Sequence, residues 1–234
     1  MITPRLDILP AQQRALWPEL AAIPKRFVLY GGTAIALRLG HRDSVDFDFF
    51  SSGPLRLDGL LADAPWVGDG TVIQQEPEAF ACLVERLGFP VKVSFFGGIA
   101  TGRVGTPDQA DGGVLCMASG LDLLGHKLKV ILQRAEGRDY QDIAALLEGG
   151  LDLADGLAAA SALFPRFPVM ESVRALGYRA DISEPHRVGT DAGQVLDAAI
   201  ERLPEAIDRL PLLSRCLDDP GHGAMPGAPR RGRR

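Results

Sequence analysis

Leu29-Tyr30-Gly31-Gly32-Thr33-Ala34-Ile35-Ala36-Leu37-Arg38-Leu39-Gly40, continuing His41-Arg42-Asp43-Ser44-Val45-Asp46-Phe47-Asp48-Phe49-Phe50, is the stretch that decides the fold. Its entry is a short apolar strand, Phe27-Val28-Leu29-Tyr30, that runs straight into Gly31-Gly32-Thr33. A compact helix follows and stops near Gly40, as a glycine at a helix C-terminus dictates. From Val45 to Phe50 acids and aromatics alternate with period two, which reads as a strand with one apolar face.

On such a strand Asp46 and Asp48 project to one side while Phe47 and Phe49 project to the other. The two carboxylates then stand side by side, with Cα atoms about 7 Å apart at the usual strand rise. Adjacent carboxylates repel unless a cation sits between them, and a hard divalent ion with oxygen ligands, Mg²⁺ or Mn²⁺, is the natural partner. The Gly31-Gly32-Thr33 turn supplies a complement. Two glycines let the backbone approach a bulky anion, and the helix start offers unpaired N–H donors. The Thr33 hydroxyl either caps the helix or binds a phosphate oxygen. A triphosphate held this way would present its α-phosphorus to an attacking hydroxyl. Either half alone is weak, because an Asp-Phe-Asp strand is more often a solvated face over a buried one.

Outward from this segment, Leu6 to Leu20 shows helical spacing interrupted by Pro10. Leu55 to Leu61 looks helical. Thr71 to Gln75 and Ala79 to Arg86 read as a strand pair around Glu76-Pro77-Glu78, Val91 to Phe96 as another strand, and Val114 to Met117 as a last edge strand. After Ser119-Gly120 the pattern turns helical, over Leu121–Gln133, Tyr140–Leu147, Ala154–Leu163, Met170–Leu176 and Ala192–Leu203. The expected fold class is α+β: a mixed-sheet core over residues 1–118, a C-terminal helical domain over 119–217, and a disordered Gly/Pro/Arg-rich tail over 218–234. That tail is either a solubilising end or a contact to RNA.

With 46% hydrophobic and 24% charged residues, the chain of 234 residues can bury a sizeable core. A net charge of −5 argues against non-specific coating of nucleic acid, though not against a local basic groove. Cys82, Cys116 and Cys216 form neither a CxxC pair nor a metal spacing, which suits free thiols in a reducing cytosol. Neither a signal peptide nor a membrane span is expected, so the reading is a cytoplasmic protein.

The central segment resembles the AbiEii/AbiGii-type nucleotidyltransferases, a branch of the DNA polymerase β-like superfamily found as toxins of bacterial toxin–antitoxin systems. The resemblance rests on Gly31-Gly32-Thr33-Ala34, on Leu37 to Arg42, on Ser44, and on Asp46 to Phe50. A second stretch comprises Asp122-Leu123, Lys127-Leu128 and Arg138-Asp139-Tyr140-Gln141-Asp142. It implies a polymerase β-like mixed sheet, an NTP substrate, Mg²⁺ or Mn²⁺ on Asp46 and Asp48, and transfer to an acceptor that is RNA, such as tRNA, with an antitoxin protein as partner. Asp46, Asp48 and Lys127 would be catalytic, and Gly31, Gly32, Thr33, Arg42, Ser44 and Lys92 would bind the nucleotide. Lys127 points into the cleft in the family pattern, or is a solvated helix lysine here. Arg42 reaches a triphosphate or acceptor backbone, or pairs with Asp43 or Asp46; Lys92 neutralises phosphate or sits on a solvated face. Asp139 would cap the next helix and Asp142 pair with Arg138.

One departure stands out. The superfamily adds a third carboxylate from a neighbouring strand, where Val91-Lys92-Val93-Ser94-Phe95-Phe96 has Ser94 instead. Only Glu85, on the preceding strand, offers a substitute. Ser94 therefore also motivates a rival reading, a catalytically weak nucleotide-binding relative that acts through protein interaction.

Overall fold

The computed structural model describes residues 1–179, 182 and 189–218. The arginine-rich end anticipated as a disordered tail lies, from residue 219 on, outside the described residues. Seven strands form one mixed sheet: β1 (Val28–Tyr30), β2 (Asp46–Phe50), β3 (Thr71–Glu76), β4 (Ala79–Arg86), β5 (Phe89–Phe96), β6 (Asp108–Gln109) and β7 (Cys116–Met117). The helices are α1 (Ala11–Leu16), α2 (Gly31–Leu39), α3 (Leu57–Asp63), α4 (Gly120–Val130), α5 (Gly137–Glu148), α6 (Leu153–Leu163), α7 (Val169–Gly177) and α8 (Thr190–Glu201). The strands lie in the order β3-β4-β5-β2-β1-β7-β6, which makes β2 the central one. It runs antiparallel to β1 and parallel to β5, so the sheet is mixed and the class is α+β.

The alternation in β2 sorts its residues as the pattern requires. Phe47 and Phe49 are fully buried, while Asp46 and Asp48 keep partial exposure on the opposite face. Phe49 lies parallel to Phe95 at 5.5 Å between ring centroids, and Phe27 meets Phe95 edge-on at 5.4 Å. Such pairs add about 0.5–1.5 kcal/mol each beyond simple burial. On the carboxylate face, Tyr30 stacks on Phe50 at 4.9 Å, and His126 of α4 and Phe164 close over them. Burial among these rings pushes the His126 imidazole down to about 4, so it packs as a neutral ring.

Two local readings change. The N-terminal helix breaks into a 3₁₀ turn at Leu6–Ile8, α1, and a second 3₁₀ segment at Trp17–Ala22, because Pro10 stands at the N-cap of α1 and Pro18 opens the second segment. The segment read as a last edge strand shrinks to Cys116–Met117 and is interior, flanked by β1 and by the two-residue β6 that forms the true edge. Ser119, where the helical pattern begins, is the N-cap of α4: its hydroxyl accepts from the Asp122 N–H at 3.1 Å and donates to the Asp122 carboxylate at 2.6 Å.

Buried side chains of the sheet and of α4, α5 and α6 belong to one apolar cluster. After α8 the chain returns across it. The Leu210 N–H donates to the Ala158 carbonyl at 3.3 Å, and the Leu213 N–H to the Arg103 carbonyl at 2.9 Å. The Leu217 N–H then reaches the Ser52 hydroxyl at 3.0 Å, and the Leu217 side chain is fully buried. This strap has no helical or strand period, yet it joins the last helix to the end of β2. Leu217→Ala should therefore cost about 2–5 kcal/mol in chemical denaturation, as for a core leucine; a cost below about 0.5 kcal/mol would mark the strap as loosely attached surface.

Candidate active site

β2 and β5 build the floor of the site. Asp46 lies in register with Lys92, and Asp48 with Ser94. Burial pushes the Asp48 carboxyl above the usual carboxylate range; the Ser94 hydroxyl, which hydrogen-bonds to it, and the Lys92 charge oppose the shift, while the Asp46 charge adds to it. The Lys92 ammonium is 3.9 Å from Asp46 Oδ2, with both side chains about two-fifths exposed (41% and 38%). An ion pair so open to water contributes under about 1 kcal/mol, so Lys92 is available to a ligand.

The glycines answer to the protein as well as to any ligand. Gly31 adopts φ +73°, a left-handed conformation that side-chain-bearing residues avoid, and a Cβ there would stand 3.2 Å from Asp48 Oδ2. At Gly32 a Cβ would stand 2.3 Å from Arg42 Nη2. Gly32 lines the cleft described below; Gly31 is not among its lining residues and sits behind Asp48. Tyr30, the N-cap of α2, makes no side-chain cap, so the first N–H groups of that helix have no capping side chain. Thr33 does not cap either. Its hydroxyl is 2.6 Å from the Ser44 hydroxyl and bonds to the Asp46 carbonyl. The carbonyl can only accept, so Thr33 donates to it and Ser44 donates to Thr33. Both protons are engaged inside the protein, and the pair ties the first turn of α2 to the start of β2.

The basic wall comes from farther along the chain. Lys127 of α4 is nearly buried, and its ammonium lies 2.6 Å from Asp139 Oδ1 and 2.6 Å from Asp142 Oδ2. Asp142, fully buried on α5, also accepts from His41 Nε2 at 2.7 Å and from Arg42 Nε and Nη2 at 2.7 and 2.9 Å. Burial works against its charge, but the His41 and Arg42 hydrogen bonds and the Lys127 ammonium hold the Asp142 carboxyl well below the usual carboxylate range. Asp139 accepts from Arg134 Nε at 2.9 Å.

These contacts replace the local pairings expected from spacing. Asp142 does not pair with Arg138, which turns to Glu136 at 2.6 Å. Asp139 lies inside the first turn of α5 and holds cations, not a helix end. The Arg42 carboxylate partner is Asp142, with neither Asp43 nor Asp46 taking that place, although Arg42 Nη1 donates to the Asp43 carbonyl. Glu85 stands across from Pro90 near the hairpin tip, four residues along β5 from Ser94, so it is no substitute acid; Ala81 occupies the place opposite Ser94.

A cleft of 330 Å³ opens over this floor. Asp46 and Asp48 face it together with Gly32, Thr33 and Ser44, and five cations line it: Arg42, Lys92, Lys127, Arg134 and Arg138. Arg134 has no sequence motif to announce it; only the run of charges Arg134, Glu136 and Arg138 ahead of Asp139 hints at it. A larger hollow of 410 Å³ lies between α5, α6 and α8, with Leu147, Leu151, Val195, Glu148 and Asp152 among its walls.

Among the described residues, no group of three or more His, Cys, Asp or Glu side chains is arranged to hold a metal. The two carboxylates on one face still fit a hard divalent cation, whose charge would relieve both the burial of Asp48 and its repulsion from Asp46. No helix among the described residues is long and apolar enough to cross a membrane. Asp142→Asn would leave Lys127, Arg42 and His41 without their shared anion, and should cost about 3–5 kcal/mol at pH 7. Because the folded-state carboxyl is depressed, this stability is present above pH about 4 and is lost as pH falls further; the gap between wild type and variant should narrow there in denaturation curves.

Comparisons with known proteins speak to the fold and to the family. A crystal structure of a candidate nucleotidyltransferase from H. pylori superposes with a TM-score of 0.50 at 18% identity, covering 82% of this chain and 93% of its own. MenT4, a nucleotidyltransferase toxin from Mycobacterium tuberculosis H37Rv, superposes with a TM-score of 0.57 at 18% identity, covering 82% of each chain. At that identity the likeness speaks for the fold. Among curated proteins none matches in sequence. The family model "Nucleotidyl transferase AbiEii toxin, Type IV TA system" matches residues 14–176, well over half of the chain. The chain therefore belongs to the AbiEii family of nucleotidyltransferase toxins of type IV toxin–antitoxin systems.

Proposed function

We propose that this nucleotidyltransferase uses a divalent metal to move a nucleotide from an NTP to an acceptor hydroxyl on RNA, with tRNA as the leading acceptor. The observation that carries the reading is the Asp46/Asp48 pair facing a cleft walled by five cations, in a chain whose net charge is −5. Cations gathered against that overall balance suit a polyanionic substrate. In this account the first turn of α2, Arg42 and Lys127 hold the β- and γ-phosphates, with Gly32 giving the backbone close approach. Lys127 and Arg42 are pre-set for the task, because Asp139 and Asp142 fix their head groups before any ligand arrives. Thr33 and Ser44 shape the pocket wall. Gly31 admits Asp48, and Lys92 adds positive charge beside Asp46. Arg134 and Arg138, paired with Asp139 and Glu136 yet 46% and 52% exposed, can meet the acceptor backbone.

Asp46 and Asp48 would hold the ion, Mg²⁺ or Mn²⁺, which supplies Lewis-acid polarisation of the phosphoryl group and stabilises the departing pyrophosphate. The acceptor oxygen forms the new bond to the α-phosphorus as the bond to pyrophosphate breaks, and the acceptor proton passes to solvent water. The reaction belongs in the cytoplasm, where NTPs and tRNA meet, and the toxin role pairs the enzyme with an antitoxin.

Ser94 supports a second reading, in which turnover is weak and the chain acts by binding nucleotide or a protein partner. Its hydroxyl stands beside Asp48 where a further acid would complete the site. Ser94→Asp bears on this: a large gain in label transfer from NTP would reveal a weakened site, whereas unchanged transfer would mean that Ser94 does not bear on the metal.

Asp48→Asn should lower transfer by about a hundredfold or more. In metal-free buffer at pH 7 its Tm should equal or exceed that of wild type. A carboxyl whose pKa is raised on folding costs stability above its unfolded value, and the amide removes that cost while still accepting from Ser94. Turnover at the wild-type rate would remove Asp48 from the mechanism.

A further inference from the structure

The floor of the site holds an asymmetry of charge. On one sheet face β2 supplies Asp46 and Asp48, and the adjoining β5 supplies Lys92 and Ser94 in register with them. That face carries two negative charges, one positive charge and one neutral hydroxyl. The next strand adds no acid, since β4 puts Leu83 opposite Lys92 and Ala81 opposite Ser94. Two-metal phosphoryl-transfer sites bring four positive charges within about 4 Å of one another and rely on several anionic ligands to hold them. Here the ammonium of Lys92, 3.9 Å from Asp46 Oδ2, already occupies part of the field of one carboxylate. The nearly fully buried Ser94 hydroxyl is bonded to the other. A second ion would meet an ammonium on one flank and a neutral, engaged donor on the other.

Resting on the proposed function, we infer that the site holds a single divalent ion, shared by Asp46 and Asp48, and that the Lys92 ammonium stands in for the charge of a second. Lys92 is then a positioning residue. It supplies a permanent positive charge beside Asp46 and weakens the hold of the carboxylates on metal in exchange. Ser94 limits the count, because it brings a hydrogen bond to Asp48 but no charge.

The test is a titration of the full-length protein with Mn²⁺, with free Mn²⁺ read by electron paramagnetic resonance. The unaltered chain should bind one ion, and Asp46→Asn/Asp48→Asn should bind none at the same concentrations. Lys92→Met should keep the count at one and tighten the affinity on the order of tenfold, because a unit charge beside the ligands is gone. Lys92→Met combined with Ser94→Asp should raise the count to two. Two carboxylate-dependent ions in the unaltered chain, an affinity unmoved by Lys92→Met, or a double variant that stays at one would each overturn the inference while leaving the transferase reading in place. No carboxylate-dependent ion in the unaltered chain would overturn both.

Discussion

Burial of Phe47 and Phe49 is the constraint from which the site follows. β2 is the central strand, so both rings have sheet and helix packed on them and are fully removed from water. Each such ring contributes on the order of 2–3 kcal/mol by burial. The pleat then leaves Asp46 and Asp48 no choice of direction: they face away from that core, together, with Lys92 and Ser94 beside them. A one-residue slip of register would put two carboxylates into the apolar cluster and two phenylalanines into the cleft, which no local rearrangement can compensate. The fold therefore fixes the carboxylate pair before any ligand does.

The second constraint is electrostatic and runs between distant parts of the chain. Asp139 and Asp142 are fully buried, so each must find cations, and between them they collect Lys127, Arg42 and Arg134, with a hydrogen bond from His41 Nε2 beside them. Arg42 lies beyond the end of α2, Lys127 on α4 and both aspartates on α5, so one network gathers the cations onto one wall of the cleft. The cost of burying those charges is met only when all the partners are in place. Folding of the helical part and assembly of the basic wall of the cleft are thus the same event. The strap through Leu210, Leu213 and Leu217 adds to this coupling by tying the chain after α8 to the middle of α6, to Arg103 and to Ser52 after β2.

Much of this was legible in the sequence where the signal is periodic and local. The strand, glycine turn and helix from Val28 to Leu39, and the alternating strand at Asp46–Phe50, follow directly from spacing and from the special backbone of glycine. The place of Ser94 beside the carboxylate pair came from the resemblance to the family pattern, the strand period adding only that it shares a face with Lys92 and Phe96. What spacing could not reveal was which partner a buried charge would choose. Arg138 and Asp142 are four residues apart on one helix face, a favourable local pair, yet Asp142 points into the interior, where only side chains from other elements reach it. The same limit hid the engagement of the Thr33 hydroxyl with Ser44 and the Asp46 carbonyl, the place of Arg134 on the cleft wall, and the strap, which has no period to read. Two-residue strands such as Asp108–Gln109 leave no pattern at all, which is why Cys116–Met117 was taken for the edge.

The most direct test of the central claim is to incubate the purified protein with each labelled NTP, Mg²⁺ and total tRNA, beside Asp46→Asn/Asp48→Asn. The account predicts label on RNA with the unaltered chain, none with the double variant, and none when a chelator removes the metal. Equal labelling by the variant, or neither NTP binding nor transfer by the unaltered chain, would contradict it: the carboxylate pair on β2 would then be a solvated strand face and not a seat of chemistry.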